Sequence, residues 1–128
     1  MPLVRIDALG TDVTHLQAIG DAVHEALMET LGIPPDDYFQ ILTAHDGTHG
    51  TLRYGDYLGV RRDAGIVYIA ITLRAGREPD RKRALYRRIA ELAETHAGVE
   101  PRNVFVTLTE NGDADWSLGY GEAQYAPR

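Results

Sequence analysis

Pro2 is the residue of this sequence with the most specific chemical potential, because it directly follows Met1. Removal of the initiator methionine would make proline the amino terminus and turn its nitrogen into a secondary amine. An ordinary α-amino group titrates at about 7.7–8.0, and secondary amines are more basic. Burial and nearby cations would lower this pKa and give a general base, whereas a nearby carboxylate would raise it and give a cationic acid. A retained Met1 would make the nitrogen an amide and block both roles.

Arginine dominates the cations of the chain. Of the 13 Lys and Arg residues only Lys82 is a lysine, and many of the arginines lie between Arg74 and Arg88. The planar guanidinium group suits bidentate binding of a carboxylate. Arginines on a helix more often form a solvated face. The cluster therefore predicts either a site for a small carboxylate or a charged helix surface.

Three side chains are weaker candidates, and each has a structural alternative. His24 lies one helical turn from Gly20 and from Met28, beside an apolar stripe, so a structural role and a pocket role both stay open. Trp116 is either a core or interface aromatic or the wall of a pocket. Tyr125, in a Gly-rich tail, packs either against its own chain or against a neighbouring subunit.

The segment around His45 and His49 is a poor metal site. Two histidines four residues apart share a face only on a helix, and the residues here, Asp46 included, are typical of a Gly-rich loop. We expect no metal and no cofactor.

Composition places the chain among small globular proteins. It has 128 residues, 44% of them hydrophobic and 25% charged, and contains no cysteine, which excludes thiolate nucleophiles and disulfides. The net charge of -6 disfavours nucleic-acid binding. No apolar run approaches the roughly 18 residues of a membrane span, and no secretory signal is present, so we expect no membrane partner and a cytoplasmic location.

Apolar spacing predicts two helices and four strands. The first helix is capped by Thr11 or Asp12 and ends at Gly32, before Pro34 and Pro35. The second runs from Arg77 to His96. The predicted strands cover residues 2–7, 39–44, 65–73 and 104–109, with a loop over residues 45–59.

The two halves of the chain repeat at an offset of 66 residues. Matching pairs share side-chain character at the helix exits and in the strands: Gly32 and Gly98, Pro35 and Pro101, Phe39 and Phe105, Leu42 and Leu108. The same offset places Leu3 over Ile69. This repeat predicts one α+β domain, residues 1–128, made of two β-α-β units, roughly 1–64 and 65–128.

The predicted units form a four-stranded sheet with both helices on one face. The predicted strand over Ile66–Leu73 is apolar on both faces, so we expect the face of the sheet without helices to be covered by another surface. We therefore expect a homo-oligomer.

Taken together, Pro2 and the duplicated unit make the chain similar to the tautomerase superfamily, and within it to the malonate semialdehyde decarboxylases and their relatives. The resemblance covers nearly the whole chain. It is carried by five stretches: residues 2–7 (PLVRID), 21–24 (DAVH), 35–40 (PDDYFQ), 74–77 (RAGR) and 110–119 (ENGDADWSLG). The resemblance implies a homotrimer, catalysis by an amino-terminal proline and a small carboxylate substrate.

Residue by residue, the resemblance implies that Pro2 and Asp37 are catalytic and that Arg74 and Arg77 bind the substrate carboxylate. The Arg-x-x-Arg spacing departs from the Arg-x-Arg of one such decarboxylase and looks more like that of the cis-3-chloroacrylic acid dehalogenase branch. A histidine of that branch corresponds to His24.

The dehalogenase branch also uses a Tyr and a Glu, and Thr107 and Gly119 stand near those positions here. The pair that activates water is thus missing, which disfavours dehalogenation. The leading hypothesis is a cofactor-free decarboxylase of a small β-oxo acid, with Pro2 as a cationic acid or as an electrophile that forms an iminium ion. The alternatives are a keto–enol tautomerase or hydratase that uses Pro2 as a general base, and a non-catalytic trimeric binding module.

Overall fold

A computed structural model describes residues 1–10 and 12–127. All the predicted strands and helices are present, and their ends differ from the predicted ones by at most two residues. In chain order they are β1 (Pro2–Leu9), α1 (Val13–Leu31), β2 (Gln40–His45), β3 (Val67–Arg74), α2 (Pro79–Ala97) and β4 (Val104–Asn111). Short 3₁₀ turns at Pro101–Asn103 and Asp113–Asp115 flank β4.

The sheet confirms the predicted fold class. Its strand order is β2-β1-β3-β4. β1 pairs in parallel with β2, β3 pairs in parallel with β4, and the central pair β1 and β3 is antiparallel. Each parallel pair with its crossover helix is one β-α-β unit, and both helices pack on the same face. Among the residues that the structure describes, no helix is both long enough and apolar enough to span a bilayer.

The helix ends show the same local chemistry in both units. The Asp12 carboxylate accepts the backbone N–H of His15 at 2.8 Å and caps α1, while Thr11, the other predicted cap, lies outside the described residues. Gly32 and Gly98 end the two helices with φ of 68° and 66°. Only a residue that tolerates this left-handed conformation satisfies the last carbonyls in this way.

The predicted offset of 66 is correct for the helices and wrong for the first strand of each unit. Both helices are displaced by 66 residues, but β1 and β3 are displaced by 65. Leu3 is 40% exposed and Ile69 is 1% exposed, so they lie on opposite faces of the sheet, and Val4 is the true counterpart of Ile69. Three residues separate β1 from α1 and four separate β3 from α2, which accounts for the difference.

Alternation along the strands sends one set of side chains into the core and leaves the other uncovered. The core contains the inward residues of β1 and β3 and the apolar faces of both helices. On β3, the side chains of Tyr68, Ala70 and Thr72 point away from the helices and form part of this uncovered face. Leu3 and Phe105 share that outer face and are about two-fifths exposed in the single chain.

Candidate active site

Sheet topology brings distant parts of the sequence together at one end of the sheet. Pro2, at the start of β1, pairs with Leu73, near the end of β3. The backbone N–H of Val4 donates to the carbonyl of Phe39 at 3.0 Å, which places the loop before β2 beside β1. Arg74 pairs with Asn111, at the end of β4. Four segments therefore meet at this end, which we call the β1-start end.

A buried amine lies beside a carboxylate at this end. Met1 is 6% exposed, and its amino nitrogen is 3.5 Å from Oδ2 of Asp37. The backbone N–H of Asp37 donates to the Pro34 carbonyl at 3.1 Å, a turn that fixes the position of Asp37. Oδ1 of Asp37 is buried and accepts no hydrogen bond from the residues described. Pro2 is buried directly behind Met1, and its nitrogen is part of the Met1–Pro2 peptide bond.

The charge on this amine is determined by opposing effects. Burial lowers the pKa of the Met1 ammonium group below its ordinary value of 8.0, and Asp37 raises it through its charge and a hydrogen bond. Arg77 and, more weakly, Arg74 lower this pKa further. The net direction is downward, opposite to the direction expected from a neighbouring carboxylate alone. An amine at this position therefore loses its proton at a lower pH than a solvated one.

The two predicted arginines lie together beside the amine. Arg74 is the last residue of β3, and Arg77 lies in the four-residue turn before α2. A guanidinium N–H of Arg77 donates to the backbone carbonyl of Arg74 at 2.7 Å. Gly76 has a φ of 125°, a conformation that L side chains rarely adopt, and this permits the tight turn. Both arginines line an open cavity of about 450 Å³, together with Arg81 and Asp113.

Two residues that the sequence did not single out for the site contact Arg74. Oδ1 of Asp113 lies 3.2 Å from a guanidinium nitrogen of Arg74. The ring of Tyr125 lies on the other side, with its centroid 3.8 Å from the guanidinium carbon. Asp113 falls in the 110–119 stretch that carries the family resemblance, so that stretch was a signal for it. Nothing in the spacing of the tail indicated that Tyr125 reaches Arg74.

An apolar pocket adjoins the amine on another side. Its volume is about 250 Å³, and its lining is mainly apolar: Met1, Leu3, Phe39, Trp116, Ser117 and Leu118. The indole N–H of Trp116 donates to Oδ1 of Asn111 at 2.6 Å, which fixes the ring against the end of β4. Trp116 is thus a pocket wall rather than a core residue.

His24 stands behind the site and contacts neither the amine nor the arginines. Its ring N–H donates to the Pro35 carbonyl at 3.0 Å, and its ring packs against Tyr38 with centroids 4.6 Å apart. Both contacts hold the loop that carries Asp37. The structure therefore places His24 in a supporting position for that loop.

The remaining sequence candidates lie elsewhere. Thr107 is on the exposed face of β4, and Gly119 is in the tail. His45 pairs with Asp7 at 2.7 Å and His49 pairs with Asp46 at 2.8 Å, so the two histidines do not converge. Across residues 1–10 and 12–127, no group of three or more His, Cys, Asp or Glu is arranged to hold a metal ion.

Two family models match the sequence, and both are described as tautomerase enzymes. One covers residues 37–119 and the other covers residues 2–61. Two proteins of Bacillus subtilis (strain 168) are similar over almost their full lengths. Probable tautomerase YusQ is 36% identical over 97% of this chain and 98% of its own. Probable tautomerase YrdN is 33% identical over 98% of this chain and 96% of its own.

Solved structures with the same fold include two malonate semialdehyde decarboxylases. One, the FG41 protein inhibited by 3-bromopropiolate, is 41% identical, with a TM-score of 0.88 over 96% of this chain and 93% of its own. The other is described with decarboxylase and hydratase activities and is 30% identical, with a TM-score of 0.86 over 96% of this chain and 95% of its own.

Proposed function

Because the chain belongs to the tautomerase family, we propose that it is a cofactor-free decarboxylase of a small β-oxo acid such as malonate semialdehyde. The observation that carries the proposal is the convergence of Asp37, Arg74 and Arg77 at the start of β1, where the Met1 amine lies 3.5 Å from Asp37 and Pro2 is the next residue. The 41% identity to a malonate semialdehyde decarboxylase supports the choice of substrate.

In the proposed reaction, Met1 is removed and Pro2 carries the amine. The guanidinium groups bind the substrate carboxylate and turn it out of the plane of the carbonyl group. The bond between the carboxylate carbon and the α-carbon breaks, carbon dioxide leaves, and the electron pair forms an enolate. The Pro2 ammonium group stabilises the enolate oxygen, and a proton then adds to the α-carbon, so malonate semialdehyde gives acetaldehyde. An iminium ion between Pro2 and the carbonyl carbon is a second route to the same product.

Substrate binding itself helps to keep the amine protonated in this scheme. Arg77 and Arg74 lower the pKa of the Met1 amine, and we expect them to act in the same direction on the amine of Pro2. A bound carboxylate offsets their positive charge, and the effect of Asp37 on the amine then counts for more. The mainly apolar Trp116 pocket adjoins this position, and a substrate that fills it would displace water and strengthen each of these charge interactions.

Keto–enol tautomerisation is the second candidate, and a specific observation favours it. Burial lowers the pKa of the Met1 amine, and the same effect on the amine of Pro2, the next residue, would suit a neutral general base. The Bacillus relatives are also described as probable tautomerases. In this reaction Pro2 would take a proton from one atom of a small enol or oxo acid and return it to another.

Replacement of Asp37 by Asn separates the two candidates, because it removes the charge and keeps the shape. We expect the pKa of Pro2 to fall and decarboxylation to drop about 10²-fold, while enol–keto conversion holds or rises. The measurements are titration of Pro2 by nitrogen NMR, release of carbon dioxide from malonate semialdehyde and loss of enol absorbance from a 2-oxo acid.

Asp36→Asn is the matched control, because the neighbouring Asp36 is exposed. An unchanged Pro2 pKa with intact decarboxylation in the Asp37 variant would make Asp37 a turn residue and move the tautomerase ahead. Intact mass must show that the active protein lacks Met1. Full activity in a preparation that retains Met1 would exclude Pro2 as the catalytic amine.

We further propose that the protein is a homotrimer and that the open face of the sheet is covered in the assembly. Leu3, Ile41 and Phe105 are each 40–43% exposed on that face, which supports burial against other copies. Light scattering coupled to size-exclusion chromatography should give three times the mass of one chain, and a monomer at micromolar concentration would refute the assembly.

A further inference from the structure

The Asp113 carboxylate is held next to Arg74 by the geometry of the chain after β4. The backbone N–H of Ala75 donates to the Asn111 carbonyl at 2.8 Å, which ties the end of β4 to the residue after Arg74. The backbone N–H of Gly112 donates to Oδ2 of Asp115 at 2.8 Å and closes the short turn that starts at Asp113. The 3.2 Å contact between Asp113 and Arg74 is therefore built into the backbone path.

Arg74 and Arg77 differ in what already occupies them. Arg74 faces a carboxylate, Asp113, on one side and the Tyr125 ring on the other. Arg77 donates to a neutral carbonyl, that of Arg74, and over the described residues it has no carboxylate partner within 4 Å. Arg77 also acts more strongly than Arg74 on the buried amine. The guanidinium group of Arg77 is thus open to an incoming anion, whereas that of Arg74 is already paired with Asp113.

We propose that Asp113 is an internal competitor for the substrate carboxylate, and that it sets the affinity of the site for anions. In the free protein Asp113 occupies Arg74, and the bound carboxylate replaces it there while Arg77 provides the open contact. At Arg74 the substrate carboxylate takes the place of the Asp113 carboxylate, so the number of ion pairs at Arg74 does not change. Arg74 therefore contributes more to the orientation of the substrate than to its affinity. This inference rests on the proposed function, since it assumes that the arginines receive the substrate carboxylate.

The test measures binding rather than turnover, with malonate as the probe and the full chain at low ionic strength. Isothermal titration calorimetry should show that Asp113→Asn binds malonate about two- to fivefold more tightly than the unaltered protein, the range expected for a half-exposed ion pair. The gain should shrink as salt is added. It should also disappear when Arg74 is replaced by Ala in the same chain, because the two residues are coupled.

Two further variants separate competition from a general change in charge. Asp80→Asn removes the same charge from an exposed residue that pairs with Arg83, so it should leave the malonate Kd within about 1.5-fold of the unaltered protein. Asp113→Glu keeps a competing carboxylate and should restore a Kd close to that of the unaltered protein. Equal effects of Asp113→Asn and Asp80→Asn, or weaker binding by Asp113→Asn, would overturn the proposal.

The outcome for Asp113 is distinguishable from the outcome for the proposed reaction. Tighter malonate binding by Asp113→Asn in a protein that releases no carbon dioxide from any β-oxo acid would support the competitor role and overturn the decarboxylase. Decarboxylation by a protein whose malonate Kd is unaffected by Asp113→Asn would support the reaction and overturn the competitor role.

Discussion

The duplicated fold has two equivalent ends, and only one of them carries the candidate site. The β1-start end holds Asp37, in the loop between α1 and β2. At the opposite end, the equivalent loop between α2 and β4 holds Asn103, which matches Asp37 at the offset of 66 residues. The two residues come from corresponding positions of the two units, so the difference between them reflects side-chain chemistry rather than backbone topology.

Asn103 is fully satisfied, whereas Asp37 is not. Asn103 is 2% exposed, accepts the backbone N–H of Asp63 at 3.1 Å and donates to Oδ1 of Asp63 at 2.8 Å. Asp37 leaves Oδ1 buried without a partner among the described residues. Buried polar atoms are nearly always paired in folded proteins, so an unpaired one beside an amine marks the end that is available for chemistry.

The β1-start end also has the larger cavity of the two ends. The cavity at the β1-start end measures about 450 Å³ and contains three arginines, whereas the one beside Asn103 measures about 160 Å³. Leu9 occupies the strand position that corresponds to Arg74. The comparison shows that the β1-start end keeps a wide cavity lined by arginines, whereas at the corresponding position of the opposite end Asn103 and Asp63 are hydrogen-bonded to each other.

The largest expected effect is the loss of Arg77. We expect Arg77→Ala to lower kcat/KM for malonate semialdehyde about 10²- to 10³-fold, because the open guanidinium contact stabilises the transition state. Arg102→Ala, at the opposite end, is the control and should keep kcat/KM within about twofold. An Arg77 variant with unaltered kcat/KM would place the residue on a solvated surface instead.

A substitution at the opposite end should affect stability rather than activity. Asn103→Asp removes the amide donor and sets a second carboxylate against Asp63, so we expect the free energy of unfolding to fall by about 1–3 kcal/mol. Urea unfolding measures this change. Asp37→Asn is the matched variant and should unfold at the same or a higher urea concentration, since it replaces a largely buried, incompletely paired carboxylate by a neutral amide. The opposite pattern would invert our assignment of the two ends.

Arg74 should matter less than Arg77 for affinity, because Asp113 already engages it. We expect Arg74→Ala to raise KM by about fivefold or less, the range of a partly exposed ion pair. Steady-state kinetics on Arg74→Ala and Arg77→Ala side by side give the comparison. Equal losses in both variants would show that the two arginines are equivalent.

The smallest expected effect is the acid sensitivity of the opposite end. Hydrogen bonds from the Gly65 backbone and from Asn103, together with Arg102, hold the pKa of Asp63 below its ordinary value of 3.8. Because the pKa is lower in the folded state, the ionised carboxylate stabilises the fold above pH 4, and this contribution is lost as pH falls through the lowered pKa. Tm measured from pH 6 to pH 3 should therefore fall less in Asp63→Asn than in the unaltered protein. An identical fall in the two proteins would contradict the assignment.

The sequence was sufficient for the fold because its signals are local and repeated. Gly32 and Gly98 mark both helix exits, and the apolar spacing of each helix is clear. The one-residue error in the strand offset arose because Leu3 and Val4 are both apolar, so periodicity did not show which of them faces the core.

The candidate site was predictable only in part. Asp37, Arg74 and Arg77 were expected near Pro2 from the family resemblance, and the sheet order does bring their backbones together. The contacts of Asp113 and Tyr125 with Arg74 join a tail without regular structure to a strand far from it in sequence. Such contacts leave no periodic signal. His24 had two open roles, and its neighbours Pro35 and Tyr38 became visible only in three dimensions.

The four-residue turn between β3 and α2 also bears on how many substrate sites one chain can offer. A perfectly symmetric duplication would present the same turn at both ends of the sheet and offer two equivalent centres per chain. Only three residues separate β1 from α1, and β1 ends at Leu9 rather than at an arginine. We therefore expect each polypeptide to bind one substrate molecule, and calorimetric titration with malonate should give a stoichiometry of one per chain.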